Sequence, residues 1–199
     1  MAMTFGYAQQ AYRGDPVCGD VGIWWEGPHR YVLALADGLG HGAPAHHAAS
    51  AAMQCIAGHL DASCAAMFAA CNERLLDTRG AVLAIAIIDR DSNLLTLGVI
   101  GNIRVRVFGV NSAVRLGAGR GFVGAGYALP APDQLRLDDG DRLVMVTDGV
   151  DESDGVRACM ERNDETSQQL ADDVLQGWAN QNDDAAVLVY RHRHRGSVR

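Results

Sequence analysis

The 199-residue sequence contains no lysine: all 17 of its basic residues are arginine. That absence excludes a Schiff-base lysine and the lysine of a phosphate-binding P-loop. Glutamate is also scarce, with 5 against 19 aspartates. Aspartate is short and favours turns, so the bias suits rigid loops and hard-cation sites. The five cysteines (Cys18, Cys55, Cys64, Cys71 and Cys159) form no Cys-x-x-Cys pair, which argues against a zinc site. Three of them lie in an Ala-rich helical stretch, as small apolar residues. Reduced thiols and a cytoplasmic setting are the expectation. No basic segment leads into an apolar run at the start, so no secretory leader is expected. The longest apolar stretch, residues 81–88, is too short to span a bilayer. The net charge of −7 repels a phosphate backbone, so neither nucleic acid nor membrane is an expected partner. With 48% hydrophobic and 21% charged residues, the composition is that of a globular domain. The expectation is one domain over 1–199, with a polar, frayed tail at 192–199.

Hydropathy patterning orders the rest. Residues 31–36 (YVLALA) form a continuous apolar run, a buried strand that delivers Asp37-Gly38 at its tip. Residues 43–60 are Ala-rich with Pro44 near the start, which predicts a helix, and 62–77 a second, shorter one. Residues 81–88 and 94–100 flank DRDSN, a hairpin by composition. Ile103, Val105 and Val107 alternate with Arg104, Arg106 and Phe108 in a half-exposed strand, which 113–116 pairs across a turn. Residues 142–147 form a strand ending at Asp148-Gly149. A helix over 166–178 shows Leu170, Val174, Leu175 and Trp178 on one face. The last strand, 185–190, follows Asp183-Asp184, and a short strand at 21–25 follows Asp20. The order predicts an α+β layered fold.

Aspartates thus mark strand ends at Asp20, Asp37, Asp148 and Asp183-Asp184. If those strands are neighbours, the carboxylates converge on one rim and repel one another by on the order of several kcal/mol. Divalent cations relieve that repulsion, and an oxygen-only donor set favours Mg²⁺ or Mn²⁺. Glycine after Asp37 and Asp148 lets a backbone carbonyl approach as a further ligand. A single Asp-Gly is a common turn dipeptide; the set as a whole points to a metal centre.

Asp37-Gly38-Leu39-Gly40-His41-Gly42 resembles the DGxGHG motif of the SpoIIE/RsbU/RsbX branch of the PPM superfamily of metal-dependent Ser/Thr phosphatases. Further blocks follow in that family's order: Gly19-Asp20, Gly101-Asn102, Gly140-Asp141, Thr147-Asp148-Gly149-Val150 with Glu152, and Asp183-Asp184. One departure is Ala185-Ala186, where the family usually carries Thr or Ser. The resemblance covers nearly the whole chain and implies a four-layer α-β-β-α sandwich with two divalent cations, Mn²⁺ or Mg²⁺, at the sheet edges. It implies that Asp37 bridges the cations and that the Gly38 carbonyl ligates one. Asp148 and Asp183 would hold the metal on one side and Asp20 the other, directly or through water, with Asp184 in a supporting place. Asp37 and Asp148 are the implied catalytic residues. The implied chemistry is hydrolysis of phosphoserine or phosphothreonine, with a bridging water acidified by cations about 3.5–4 Å apart. His41 is a candidate proton donor, although its place in the motif differs from that of the acid in the wider superfamily, and a loop-orienting role is favoured.

By size the chain is most similar to the RsbX type, since 199 residues leave no room for a sensor. That implies a phosphorylated STAS-domain protein of the stressosome (RsbS- or RsbR-like) as substrate, for a monomer or weak dimer. An RsbU- or SpoIIE-like phosphatase of an anti-sigma-factor antagonist differs only in which STAS protein it recognises. A non-catalytic phosphoprotein-binding module is the other class, but it need not keep four metal-binding acids. A different metallohydrolase, acting on a small phosphoester or nucleotide, is a third reading, and an open, shallow cleft would favour a protein substrate over it. Adjacent His46-His47 point about 100° apart on a helix and do not share a metal. Trp24-Trp25 reads as one core and one surface ring. Gly117–Gly126 reads as a flap beside the cleft, with Arg120, like Arg13, a candidate phosphate contact.

Overall fold

The run at 31–36 shows no alternation because the strand it forms is covered on both faces. Val32, Ala34 and Ala36 pack against helices, while Leu33 and Leu35 pack against a second sheet. The computed structural model describes residues 4–109, 113–117, 119–126, 131–151, 154–162 and 165–194. One antiparallel sheet has the order β2 (Asp20–Glu26), β3 (Arg30–Gly38), β4 (Ala81–Asp89), β5 (Leu94–Ile100), β8 (Asp133–Arg136). The other has the order β1 (Phe5–Gln10), β10 (Ala185–Arg191), β9 (Arg142–Val146), β6 (Arg104–Phe108), β7 (Ala113–Leu116). Helices α1 (Gly42–Ala57) and α2 (Cys64–Arg74) cover the first sheet. Helix α4 (Ser167–Trp178), with α3 (Asp154–Met160), covers the second. The result is the expected α-β-β-α sandwich.

Period-2 alternation assigns the faces. Leu95, Leu97, Val105, Leu143, Met145 and Leu188 fill the space between the sheets. On the outer face of the first sheet, Ala34 and Ala36 meet Ala49 and Ala52 of α1, and these small residues let the helix lie close. The starts of α2 and α4 are chemically fixed. Ser63 accepts from the Ala66 N–H at 3.3 Å, and Thr166 forms a capping box with Gln169.

Two strands and one α-helix were not expected. β1 (FGYAQQ) and β8 (DQLR) are edge strands whose sequences carry little hydrophobic alternation, and tertiary pairing fixes them. The helix is α3. Both predicted helices of the first pair are shorter than expected, 42–57 against 43–60 and 64–74 against 62–77. Trp24 stacks on Phe5 with ring centroids 5.2 Å apart, and Trp25 packs on the helix side, so each ring joins a different core instead of one reaching solvent. The glycine-rich segment is pinned where described. Val123 is fully buried and exchanges backbone hydrogen bonds with Ala81, and the Gly124 N–H donates to Asn72. That docking replaces the expected flap. His192, at the start of the expected tail, is buried; its ring bonds the Tyr190 hydroxyl and Asn93. Residues 195–199, Glu152 and the turn residues 110–112 lie outside the described residues.

Candidate metal centre

Asp20 and Asp37 are direct cross-strand partners in the β2–β3 ladder. Directly opposed side chains share a face and bring their Cβ atoms to about 5 Å, where like charges repel. The face is the inner one, because Asp37 lies two and four residues beyond Leu35 and Leu33. The second sheet brings its acids to the same rim. Leu143 and Met145 face inward, and so does Thr147, whose hydroxyl donates to Asp20 Oδ2 at 2.7 Å. Asp148 follows, exposed at the surface. Ala186, Leu188 and Tyr190 face inward on β10, and the same alternation turns Asp184 inward, where it is 3% exposed. Asp183, one residue earlier, is half-buried at the rim.

The electrostatics follow from this crowding. Burial pushes the Asp20 carboxyl well above the ordinary carboxylate range, and the Asp37 charge pushes it further. Burial also raises Asp37, followed by the charges of Asp148, Asp183 and Asp184. Asp183 is raised by burial and then by Asp148. One oxygen each of Asp20 (Oδ1) and Asp184 (Oδ2) is buried with no hydrogen-bond donor. Buried carboxylate oxygens without donors, ringed by like charge, are what a hard cation satisfies. Among the described residues no group of three or more His, Cys, Asp or Glu side chains closes as a ready-made metal cage. The acids instead line a rim, and the orphaned oxygens carry the fit.

Glycines give the backbone its closeness here. A Cβ on Gly38 would fall 2.0 Å from the Ala45 carbonyl oxygen of α1, and one on Gly149 2.0 Å from the Asp184 carbonyl oxygen. The loop holding Gly38 is therefore pressed against α1, and the Asp148 turn against the Asp183-Asp184 turn.

Neighbouring polar groups sort into supports. The Asn102 side-chain amide donates to Asp148 Oδ2 at 2.7 Å. The Tyr12 backbone N–H donates to Asp184 Oδ1 at 2.9 Å. His41 caps no backbone; its Nδ1 lies 3.2 Å from Asp15 Oδ2 and its ring stacks on Tyr12 at 4.5 Å. That contact fits the loop-orienting role. Arg13 donates to Asn182 and stands over the Tyr12 ring, occupied in holding the Asp183-Asp184 turn. His46 bonds the Cys18 carbonyl and Ser50, while His47 is exposed, so the two do separate things. Arg120 is exposed. Sequence reasoning did not single out Arg79, an exposed cation whose guanidinium lies against Gly40. It also assigned no task to Asn102, although its place just after β5 was visible.

Residues 27–193 match the family model of stage II sporulation protein E (SpoIIE). The chain belongs to the SpoIIE family of PPM-type serine/threonine phosphatases. No curated protein matches it in sequence. Among solved structures, one from work on the bacterial stressosome as a modular system adapted to control secondary-messenger signalling is 27% identical, with a TM-score of 0.88. That match covers 94% of this chain and 98% of the other. RsbX in complex with magnesium matches at a TM-score of 0.82 and 19% identity, over 93% and 92% of the two chains. The PP2C phosphatase domain of SpoIIE from Bacillus subtilis, with a fragment of its regulatory domain, also matches at 0.82, with 23% identity over 96% of this chain and 63% of that one. PPM-family phosphatases are metal-dependent, and the acid rim described above offers oxygen donors of the kind a hard cation takes.

Proposed function

We propose that the chain hydrolyses phosphoserine or phosphothreonine on a STAS-domain protein of a stressosome, using two divalent cations, Mn²⁺ or Mg²⁺, at the rim of acids. The observation that carries this reading is the convergence of Asp20 and Asp37 from one sheet with Asp148, Asp183 and Asp184 from the other. Asp37, the Gly38 carbonyl, Asp148, Asp183 and Asp20 are the residues that would hold the cations. When bound, such cations acidify water and neutralise the phosphate oxygens. The chain's own residues prepare for that. Asp37 and Asp148 orient the reacting edge, and Thr147 and Asn102 fix the carboxylates through hydrogen bonds.

Exposure supports a protein substrate. Asp148 is exposed and Asp37 and Asp183 are half-buried, so the reacting edge lies at the surface. A phosphorylated side chain on a folded partner reaches such an edge, whereas a small phosphoester gains little from so open a site. The likeness to a structure from stressosome work supports the choice of partner. The likeness to the SpoIIE phosphatase domain, at the same TM-score as RsbX, supports a second reading, an anti-sigma-factor antagonist as the STAS substrate. No helix among the described residues is long and apolar enough to cross a membrane, and action in the cytoplasm is part of this proposal.

The test is hydrolysis of p-nitrophenyl phosphate, then of phosphorylated STAS proteins, with Mn²⁺, Mg²⁺ or EDTA. Turnover that needs Mn²⁺ or Mg²⁺ and is lost in Asp37→Asn is the expected result. Equal turnover in EDTA, or an active Asp37→Asn, overturns the reading.

A further inference from the structure

The β6–β9 register pairs Arg104 with Val146. Continued two residues outward, the same antiparallel count sets Asn102 opposite Asp148, just beyond the last paired residues. The two side chains meet there, with the Asn102 Nδ2 donating to Asp148 Oδ2 at 2.7 Å. Arg104, one alternation inward, reaches the same turn from its backbone side. Its Nη2 donates to the Thr147 carbonyl at 3.0 Å and also to the Val150 carbonyl. These two carbonyls bracket Asp148-Gly149, and the turn closes on itself through Val150 N–H to Thr147 O at 3.2 Å.

We infer that Asn102 and Arg104 are positioning residues for the metal centre: Arg104 fixes the Thr147–Val150 turn, and Asn102 fixes the rotation of the Asp148 carboxylate. The inference rests on the proposed metal centre. Its physical logic is simple. Asp148 is exposed, so its carboxylate would otherwise rotate freely in water. An amide donor on Oδ2 holds one oxygen and leaves Oδ1 as the carboxylate's other donor to a cation. Partners that orient ligating carboxylates commonly alter metal affinity by roughly 10–100-fold when removed. An amide suits the task because it donates without adding charge to a rim already crowded with acids. An aspartate at 102 would instead place an acceptor against an acceptor.

The test titrates Mn²⁺ by calorimetry into wild type, Asn102→Leu, Asn102→Asp and Arg104→Met, and follows the metal-free melting temperature in EDTA. Asn102→Leu should weaken the Mn²⁺ site held by Asp148 by roughly tenfold or more, and Asn102→Asp further, with little change in metal-free melting. In turnover, the Mn²⁺ concentration for half-activation should rise by a larger factor than the saturated rate falls. Arg104→Met should lower both metal-free melting and Mn²⁺ affinity, and Arg104→Lys should restore part of each. An unchanged Mn²⁺ isotherm in Asn102→Leu overturns the inference, as does an affinity loss matched by a collapse of metal-free melting. A wild type that binds neither Mn²⁺ nor Mg²⁺ is a different result, because it removes the metal centre itself.

Discussion

The Thr147 hydroxyl and the Asp20 carboxylate join the two sheets by a hydrogen bond of 2.7 Å, and neither residue is exposed to solvent. Thr147 Oγ1 also accepts from the Ala186 N–H at 2.8 Å, so one hydroxyl serves β10 and the opposite sheet together. Thr147→Val keeps the shape but leaves Asp20 Oδ2 and the Ala186 N–H without partners. Leaving buried groups unpaired costs about 1–3 kcal/mol. Urea denaturation in EDTA should show that loss for Thr147→Val and should show most of it recovered in Thr147→Ser.

Asp20→Asn keeps an acceptor for Thr147 and removes a charge. Folding raises the Asp20 carboxyl above its unfolded value, so the metal-free fold holds a proton that the unfolded chain releases. That contribution is complete below the ordinary carboxylate pKa and is lost as pH rises through the folded value. The Asp20 contribution to metal-free melting should therefore fall as pH rises from about 4 through neutrality. Asp20→Asn should flatten that fall, raise metal-free melting at pH 7, and shrink the rise in melting temperature that Mn²⁺ gives the wild type. A lower metal-free melting temperature in the variant would contradict this account of the rim.

Two glycine substitutions should move stability in opposite directions. A Cβ on Gly38 would fall 2.0 Å from the Ala45 carbonyl oxygen, and backbone cannot yield there cheaply. Gly38→Ala should destabilise by about 1–3 kcal/mol and weaken metal binding as α1 shifts. Gly177 is exposed in α4 and a Cβ there meets nothing within 4 Å. Gly177→Ala should stabilise by about 0.5–1 kcal/mol. Thermal melts of both variants in EDTA decide the pair.

His192 is 2% exposed, and burial first, then His194, lowers its pKa from 6.5 to about 4. The folded chain thus keeps His192 neutral where the unfolded chain takes up a proton. Its contribution to stability is present above pH 6.5 and is lost as pH falls toward 4. Chemical denaturation at pH 7 and pH 4 should show the stability of His192→Gln relative to wild type rising as pH falls.

Much of the fold was legible because its strongest signals were local. The uninterrupted YVLALA run marks a strand with two covered faces, and β10 (AAVLVYR) reads the same way. β1 and β8 were not legible, since edge strands hold their place through partners far away in sequence. At the site, the acids announced themselves at strand ends, but their ranking depended on register. Sequence treated Asp184 as the lesser of its pair, while the period-2 alternation of β10 turns it inward with an oxygen lacking a donor. The link from Asn102 to Asp148 joins residues 46 apart and becomes visible only once β6 lies beside β9.

The rim of acids draws Asp20 and Asp37 from one sheet and Asp148, Asp183 and Asp184 from the ends of strands in the other. Neither layer alone carries the whole set. On the proposed metal centre, turnover is a gauge of how the two layers are docked, more than of whether strands have formed. A chain with every strand in place but slack packing between its layers would keep its circular dichroism and fall silent as an enzyme.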